Sequence, residues 1–524
     1  MAYNNIAGIS ILSSYPSALM KRATIVVLWI CVISAGVFLR FEHLGLRPFH
    51  ADEATGARIT ARRMESGESQ FDPKHFHGPL LVDLAIPLCR MRGESCWRDL
   101  TKSTLRTLPA IAGCLLVLVP LLWRRRYGDW AMVLSAAFLA TSPLLVYYSR
   151  MFIHESLLVL LGMCVLVGLF RKPCLGILGL LMGLMFATKE SFAISVMAWS
   201  GAGLIIAWEN RKLIDRDVCV AWWRQYRIPV GISLVVAAVT AIGFYTDGFR
   251  HAQGALDSVR TFFVYETVAG HDKPWSYYLQ LFALPKKSGG VWWFEAPLLA
   301  LALFAYASTF RRGPTARPGR SVIRFIAYAA AGHFLIYSLI AYKTPWLACL
   351  PWAHVCLLAG FAATVRFNRH TTVLQPLIGV IAGICLVTQF YQARRVTGRY
   401  ASDERNPYAY VPTRNDIENL PSWLEQLRKV APGDTLAPIA VIGGEYWPLP
   451  WYLRASGDVG YWSAPPVGLE QFVLVLAMSD AAEAVMGTLE KSHIALPRGL
   501  RAEVPMYVFV RNDVWKRWME TGTP

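Results

Sequence analysis

Runs of apolar residues recur along the first 390 positions, and most are close to the length of helix needed to cross a bilayer, about 20 residues. They fall at 23–41, 105–123, 129–148, 156–170, 174–188, 191–208, 229–246, 291–310, 322–341, 346–365 and 372–390, with a shorter one at 79–90. A soluble domain cannot bury that much contiguous apolar chain. The composition agrees: 55% of residues are hydrophobic and 17% charged, where soluble domains carry about a quarter charged. The expected architecture is therefore mainly α, a polytopic helical membrane bundle of about eleven spans.

The net charge is +17, but the basic residues sit in short clusters between apolar runs, so they speak for membrane topology and not for a nucleic-acid partner. Lys21-Arg22, Arg124 to Arg126, Arg171-Lys172, the 211–227 loop, the 311–324 loop and Arg366/Arg369 alternate with less basic connections. Positive-inside bias makes that side cytoplasmic, together with the N-terminus. The outer side of the plasma (inner) membrane then receives 42–104, 149–155, Lys189-Glu190, 247–290, 342–345 and everything beyond 390. Residues 1–390 are expected to form the membrane domain. In 391–524 the strand-like runs "PIAVIG", "FVLVLA" and "MYVFVR" alternate with helical segments. That alternation predicts a small α/β domain with a mostly parallel sheet on the periplasmic or extracellular face. The ten cysteines show no metal-binding spacing, and Cys89 and Cys96 read as unpaired thiols.

Chemistry-bearing residues concentrate in the outer turns. In "RPFHADEATGARITARRMESGE" an amphipathic helix carries Ala54, Ala57, Ala61 and Met64 on one face and Arg58, Arg62 and Glu65 on another. Asp52 and Glu53 fall in its first turn, where the helix dipole favours a carboxylate. Asp52 either caps that helix or serves as a base, and spacing leaves both open. "FDPKHFHGPLL" adds Lys74, His75 and His77; its His-x-His pair is a weak metal signal beside an ordinary polar interfacial loop. "YYSRMFIHESLL" brings Arg150, His154 and Glu155, with Arg150 and His154 one helical turn apart. "ATKESF" holds Lys189 and Glu190, and "AYKTPWL" holds Tyr342, Lys343 and Trp346. Each cation singly is explained by snorkelling to headgroups. Together, cations and carboxylates at one membrane level suit a lipid-linked phosphate ester and a hydroxyl nucleophile.

"HADEATGARITARRM", "FDPKHFHGPLL" and "TLRTLPAIAGCLLVLVPLLWRRRYG", followed by "SRMFIHE", "ATKES", "YKTPWL", "YWPLPWYLR" and "RNPYAYVPTRNDI", resemble the GT-C superfamily of membrane glycosyltransferases. The likeness is closest to a prokaryotic mannosyltransferase-like, flippase-activity-associated branch, related to protein O-mannosyltransferases and the lipid A aminoarabinose transferase. It covers nearly the whole chain in motif order. The resemblance implies an acidic base just after the first span, at Asp52 with Glu53 beside it, and a second acidic position at Glu155. It implies a sugar donor on a polyprenyl phosphate, with Arg150, Lys189 and Lys343 as phosphate ligands. His50, Arg58, Lys74, His75, His77, Glu190, Tyr342 and Trp346 lie in the same matching motifs and are expected to bind substrate. The loop departs from the aminoarabinose pattern in carrying His75 and His77 where that pattern has lysines. Some superfamily members need a divalent metal and others none, so no cofactor follows.

The expected function is transfer of a sugar from a polyprenyl-phosphate donor to a hydroxyl of a glycan, lipid or protein acceptor. The rival is a flippase or transport component that moves the lipid-linked sugar intact. A third reading makes the tail a recruiting scaffold, in which Trp447, Trp451 and Tyr452 stack on sugars or clamp the tail onto the bundle; packing against the bundle or within the domain is the commoner role of such aromatic residues.

Overall fold

The structure, a computed structural model, describes residues 14–67, 71–171, 174–213, 215–264, 272–310, 319–365, 374–430, 436–502 and 504–521. Lys172, Arg311, Arg312, Arg317, Arg366 and Arg369 of the basic connections lie outside the described residues. Each apolar run expected to span is helix over most of its described residues. Among the described residues seven helices are long and apolar enough to cross a membrane, and four shorter apolar helices, Asp129–Thr141, Glu155–Leu169, Leu175–Thr188 and Ala296–Phe310, accompany them.

Four elements position the site. Helix α1 (Ser14–Phe41) leads into a turn and then α2 (Ala51–Ser66). Helix α3 (Leu80–Met91) precedes α4 (Lys102–Leu118), which tightens into a 3₁₀ turn over Val119–Trp123. Helix α2 buries Ala54, Ala57 and Ala61, as its periodicity predicts. At the centre of the bundle Cys349–Gly360 is buried along its whole length.

Several boundaries differ from expectation for identifiable reasons. The 129–148 run is two helices, Asp129–Thr141 and Pro143–Tyr148. Pro143 forces the preceding Ser142 out of the helical region, to φ −54, ψ 118. The 291–310 run opens as a strand and not as helix: β1 (Lys286–Ser288) and β2 (Val291–Trp293) form a hairpin, and the helix begins at Ala296. Gly289 and Gly290, at φ 61 and 77, supply the two left-handed residues such a turn needs. The 229–246 span belongs to a 30-residue helix, Arg216–Tyr245, that takes in much of the basic loop before it. The last apolar helix runs from Leu374 to Thr397, past the 390 boundary.

In the tail a five-stranded sheet is built from β3 (Ile439–Ile442), β4 (Val459–Trp462), β5 (Leu474–Met478), β6 (His493–Arg501) and β7 (Val504–Arg511), in the order β4-β3-β5-β7-β6. Strand β3 pairs in parallel with β4 and β5, whereas β7 is antiparallel to both β5 and β6. The sheet is thus mixed, not mostly parallel. The short link between β6 and β7 can only reverse the chain, because a parallel pair needs a crossover of a dozen or more residues. Helices Leu420–Val430, Ala482–Leu489 and Asn512–Glu520 accompany it. One apolar cluster joins Phe49, Ala54, Ala57 and Leu81 of the outer loop to Trp451, Leu453, Leu476 and Met478 of the tail. Phe49 and Trp451 meet with ring centroids 4.2 Å apart, and burying a ring of this size stabilises the contact by about 2 kcal/mol. All ten cysteines are free.

Candidate functional site

Helix α2 is capped by His50, not by Asp52. The His50 Nδ1 accepts from the Asp52 backbone N–H, and Glu53 closes the capping box by accepting from the His50 N–H at 3.0 Å. Glu53 is fully buried. Arg106 of α4 grips it with two parallel bonds, Nε to Oε1 at 2.7 Å and Nη2 to Oε2 at 2.8 Å. Arg47 reaches Oε2 at 3.2 Å, and the Phe152 N–H donates to Oε1 at 2.8 Å. Arg106 also donates to the carbonyls of Leu44, Arg47 and Pro48. Burial alone would raise the Glu53 carboxyl, but the Arg106 and Arg47 guanidiniums outweigh it and hold the pKa at about 2. This knot fixes the turn before α2 and the direction in which the helix sets out.

One residue earlier the carboxylate points the other way. The Asp52 side chain is 56% exposed, with His50 Nδ1 at 3.7 Å. It sits in the first helical turn, where the dipole favours negative charge. The His50 Nε2 lies 3.1 Å from the Tyr410 carbonyl. Its ring approaches Trp346 at 6.4 Å, and Trp346 touches Tyr410 at 5.2 Å and Tyr148 at 6.0 Å, all edge-on. A buried aromatic wall thus stands behind an open aspartate.

The segment 149–154 links this corner to a second group of charges. It is irregular chain between two helices, so Arg150 and His154 do not share a helical face. Arg150 donates to the carbonyls of Leu39, Glu42 and His43, closing the end of α1. Carbonyls at a helix C-terminus run short of backbone donors, which is why the cation turns back. Arg150 is buried, and burial with the neighbouring guanidiniums of Arg47, Arg106 and Arg40 lowers its pKa to about 9. His154 Nε2 lies 3.2 Å from the Gly78 carbonyl. Glu155, also buried, receives the Lys189 ammonium at 2.6 Å. His77 Nδ1 contacts Glu190 at 3.0 Å, and the His77 and His154 rings meet edge-on at 5.2 Å. Three turns converge here, and Gly78 permits it: a Cβ at that position would fall 2.2 Å from the Ala187 carbonyl oxygen. Burial would raise Glu190, but the His77 and Lys189 charges hold its pKa at about 2.

The remaining expected residues are spread around these two groups. Lys343 is buried and donates to the backbone carbonyls of Lys273, Ile340 and Ala341. Tyr342 bridges backbone to backbone with Asp272. Arg58 lies over the Trp97 ring at 5.3 Å. Lys74 is exposed, and His75 pairs with Asp72 at 2.9 Å within its own turn. The two histidines of His-x-His therefore face different partners. Among the described residues no three His, Cys, Asp or Glu side chains are grouped to hold a metal ion.

No family model matches the chain, and no curated protein matches it. Solved structures do. The chain is similar to ArnT from Cupriavidus metallidurans bound to undecaprenyl phosphate, at a TM-score of 0.62 and 14% identity over 93% of this chain and 98% of that one. The apo form of the same protein gives 0.59 and 15%, over 96% and 99%. The archaeal oligosaccharyltransferase AglB from Archaeoglobus fulgidus, in complex with an inhibitory peptide and a dolichol-phosphate, gives 0.54 and 12%, over 95% and 77%. The chain has the GT-C fold.

Within this GT-C fold, Arg47, Arg106 and Tyr410 build the site and escaped sequence reading, whereas Tyr452 takes the clamping role that the sequence offered as one of its alternatives. Arg106 carried a usable signal, since an arginine inside an apolar run needs a buried partner. Tyr452 clamps the tail to the start of α2: its Oη accepts from the Phe49 N–H at 2.8 Å and donates to Glu418. Trp451 and Tyr452 are thus packing residues.

Proposed function

We propose that this protein is a membrane glycosyltransferase that moves a sugar from a polyprenyl-phosphate donor to an acceptor hydroxyl on the outer face of the plasma membrane. The observation that carries the reading is the pair at the start of α2: a buried Glu53 locked by Arg106, which holds an open Asp52 at the positive end of the helix. In this mechanism Asp52 orients the acceptor hydroxyl and takes its proton. The hydroxyl oxygen bonds to the anomeric carbon as the bond from that carbon to the phosphate oxygen breaks, and the lipid phosphate leaves with the electron pair. Lys189, held by Glu155, and Lys343, held by backbone carbonyls, are in place before the donor arrives. Fixed cations stabilise developing phosphate charge without reorganising. Arg150 acts as a positioning residue by tying segment 149–154 to α1, and Glu53 acts through the placement of Asp52. Glu155 keeps Lys189 oriented. His50, His77, Glu190, Lys74, Tyr342 and Trp346 surround the donor sugar and headgroup, Arg58 stands further along α2 on the acceptor side, and His75 pairs with Asp72 inside its own turn.

In the same reading the apolar helices form an eleven-span bundle with the N-terminus in the cytoplasm and the tail, beyond about residue 390, outside. The similarity to chains solved with undecaprenyl phosphate and dolichol-phosphate supports a lipid-phosphate donor.

The test is release of free polyprenyl phosphate from polyprenyl-phosphate sugars by the purified protein. Asp52→Asn is expected to slow release by about 10²–10⁴-fold, the usual worth of a positioned base, with thermal unfolding unchanged because the side chain is open. Near-normal turnover removes Asp52 from the chemistry. Intact donor appearing on the opposite leaflet, with no phosphate released, replaces transfer by flipping.

A further inference from the structure

The carboxyl ends of β3, β4 and β5 hold features that the site above does not use. In open sheets the carboxyl ends of parallel strands are where ligands bind. Here β3 turns sharply at Gly443, whose φ of 114 suits glycine and whose Cβ would fall 2.4 Å from Asp480 Oδ1. Its N–H bonds to the Trp462 carbonyl at 2.8 Å, and the Gly444 N–H bonds to Asp480 Oδ2 at 2.8 Å. This pinned turn carries Tyr446 and Trp447 back over the end of β4. The Tyr446 ring lies 4.8 Å from that of Tyr461 and stacks on Trp447 at 6.2 Å, with 25° between planes. Tyr461 is 37% exposed and the other two rings are part-exposed. Glu445 and Asp480 bring carboxylate acceptors to the same edge, and Arg501 pairs with Glu445. Arg58 of α2 lies over the Trp97 ring, which packs edge-on against Trp451 of the same motif.

Adjacent, partly open aromatic faces bordered by both donors and acceptors suit a sugar, whose C–H face lies on a ring while its hydroxyls find polar groups at the edge. Trp451 and Tyr452, four residues further on, are buried, so one motif divides into a packing half and an open half. We propose that Tyr446, Trp447 and Tyr461, with Arg58 and Glu445, form a platform for an oligosaccharide segment of the acceptor. This deepens the transferase reading and rests on it for the word acceptor. The connection is α2 itself. Arg58 follows Asp52 by six residues, about 9 Å along the helix axis at 1.5 Å per residue, a separation that an oligosaccharide of a few units spans.

The experiment uses the full chain in nanodiscs on an array of immobilised oligosaccharides. Wild type is expected to retain a subset of them. Tyr461→Ala and Tyr446→Ala should each weaken retention about tenfold, the effect of truncating one contact ring, and Tyr446→Phe should restore it. Asp52→Asn, which removes the proposed base, should bind as wild type. Failure to retain any oligosaccharide, or equal retention by wild type and both alanine variants, overturns the platform. Absence of phosphate release by the wild type, with its oligosaccharide binding intact, would instead count against the transferase reading alone.

Discussion

Two charged regions lie where the connections between helices converge, and they are built differently. Around Glu53 every donor of Arg106 has an acceptor and the carboxylate is fully enclosed. Around Glu190 the cation opposite is a histidine, His77, and both side chains keep some contact with solvent, at 24% and 18%. Both carboxyls end near a pKa of 2, yet for different reasons: permanent guanidiniums in one case, an imidazole and a neighbouring lysine in the other. The first region fixes where Asp52 stands. The second has partners that can change charge, which suits a place where a phosphate arrives and leaves.

The largest effect should come from breaking the saturated region. Arg106→Met leaves Glu53 buried without its main partner, and such a loss costs about 3–5 kcal/mol. Thermal unfolding in detergent should show it, with phosphate release lost as Asp52 loses its footing; an unchanged Tm would mean the knot is dispensable. The acid side gives a second reading of the same region. The folded pKa of Glu53 and of Glu190 is depressed, so the stability each contributes is complete above the unfolded value near 4.5. It is lost as pH falls towards about 2. Glu53→Gln and Glu190→Gln should each flatten the unfolding curve in that window relative to wild type, and parallel curves would refute the assignment.

Next in size is the clamp between tail and bundle. Tyr452→Phe strips the buried Phe49 N–H of its acceptor and takes a donor from Glu418. Leaving such a group unsatisfied costs about 1–3 kcal/mol. If the tail serves the chemistry by steadying the turn before α2, phosphate release falls along with Tm. If release holds while Tm drops, the tail steadies the fold only.

The bundle was largely legible because hydropathy is a local property: each run of twenty apolar residues declares itself, and Ser142-Pro143 even marks the break inside one of them. The site was legible in residue type but not in role. Asp52 and Glu53 are adjacent in sequence, and only the helical period separates them. Glu53 falls on the stripe with Ala57, Thr60 and Ala61 and is buried; Asp52 falls off it. A carboxylate on an apolar stripe demands a buried cation, and Arg106 lies 53 residues away in what reads as a span. Such long-range pairing leaves no local trace. Likewise the helical spacing of Arg150 and His154 was overridden by tertiary demand, since each turns to a backbone carbonyl of a different element.

The smallest effects make the finest test, because they fall on His75 and His77, two residues apart in one loop. His75 is exposed and pairs with Asp72 inside its own turn, side chains 57% and 41% open. A pair so exposed contributes between nothing and about 1 kcal/mol, so His75→Ala should move Tm by no more than the error. His77 reaches Glu190, 113 positions along the chain, and packs edge-on against His154. Removing it leaves a mostly buried carboxylate facing Lys189 alone, and His77→Ala should cost about 1 kcal/mol. If the second region handles the donor phosphate, His77→Ala also raises the KM for polyprenyl-phosphate sugar while His75→Ala leaves it alone. Equal effects from the two substitutions would mean that the loop acts only as a tether, and that the convergence of the three turns is architecture without chemistry.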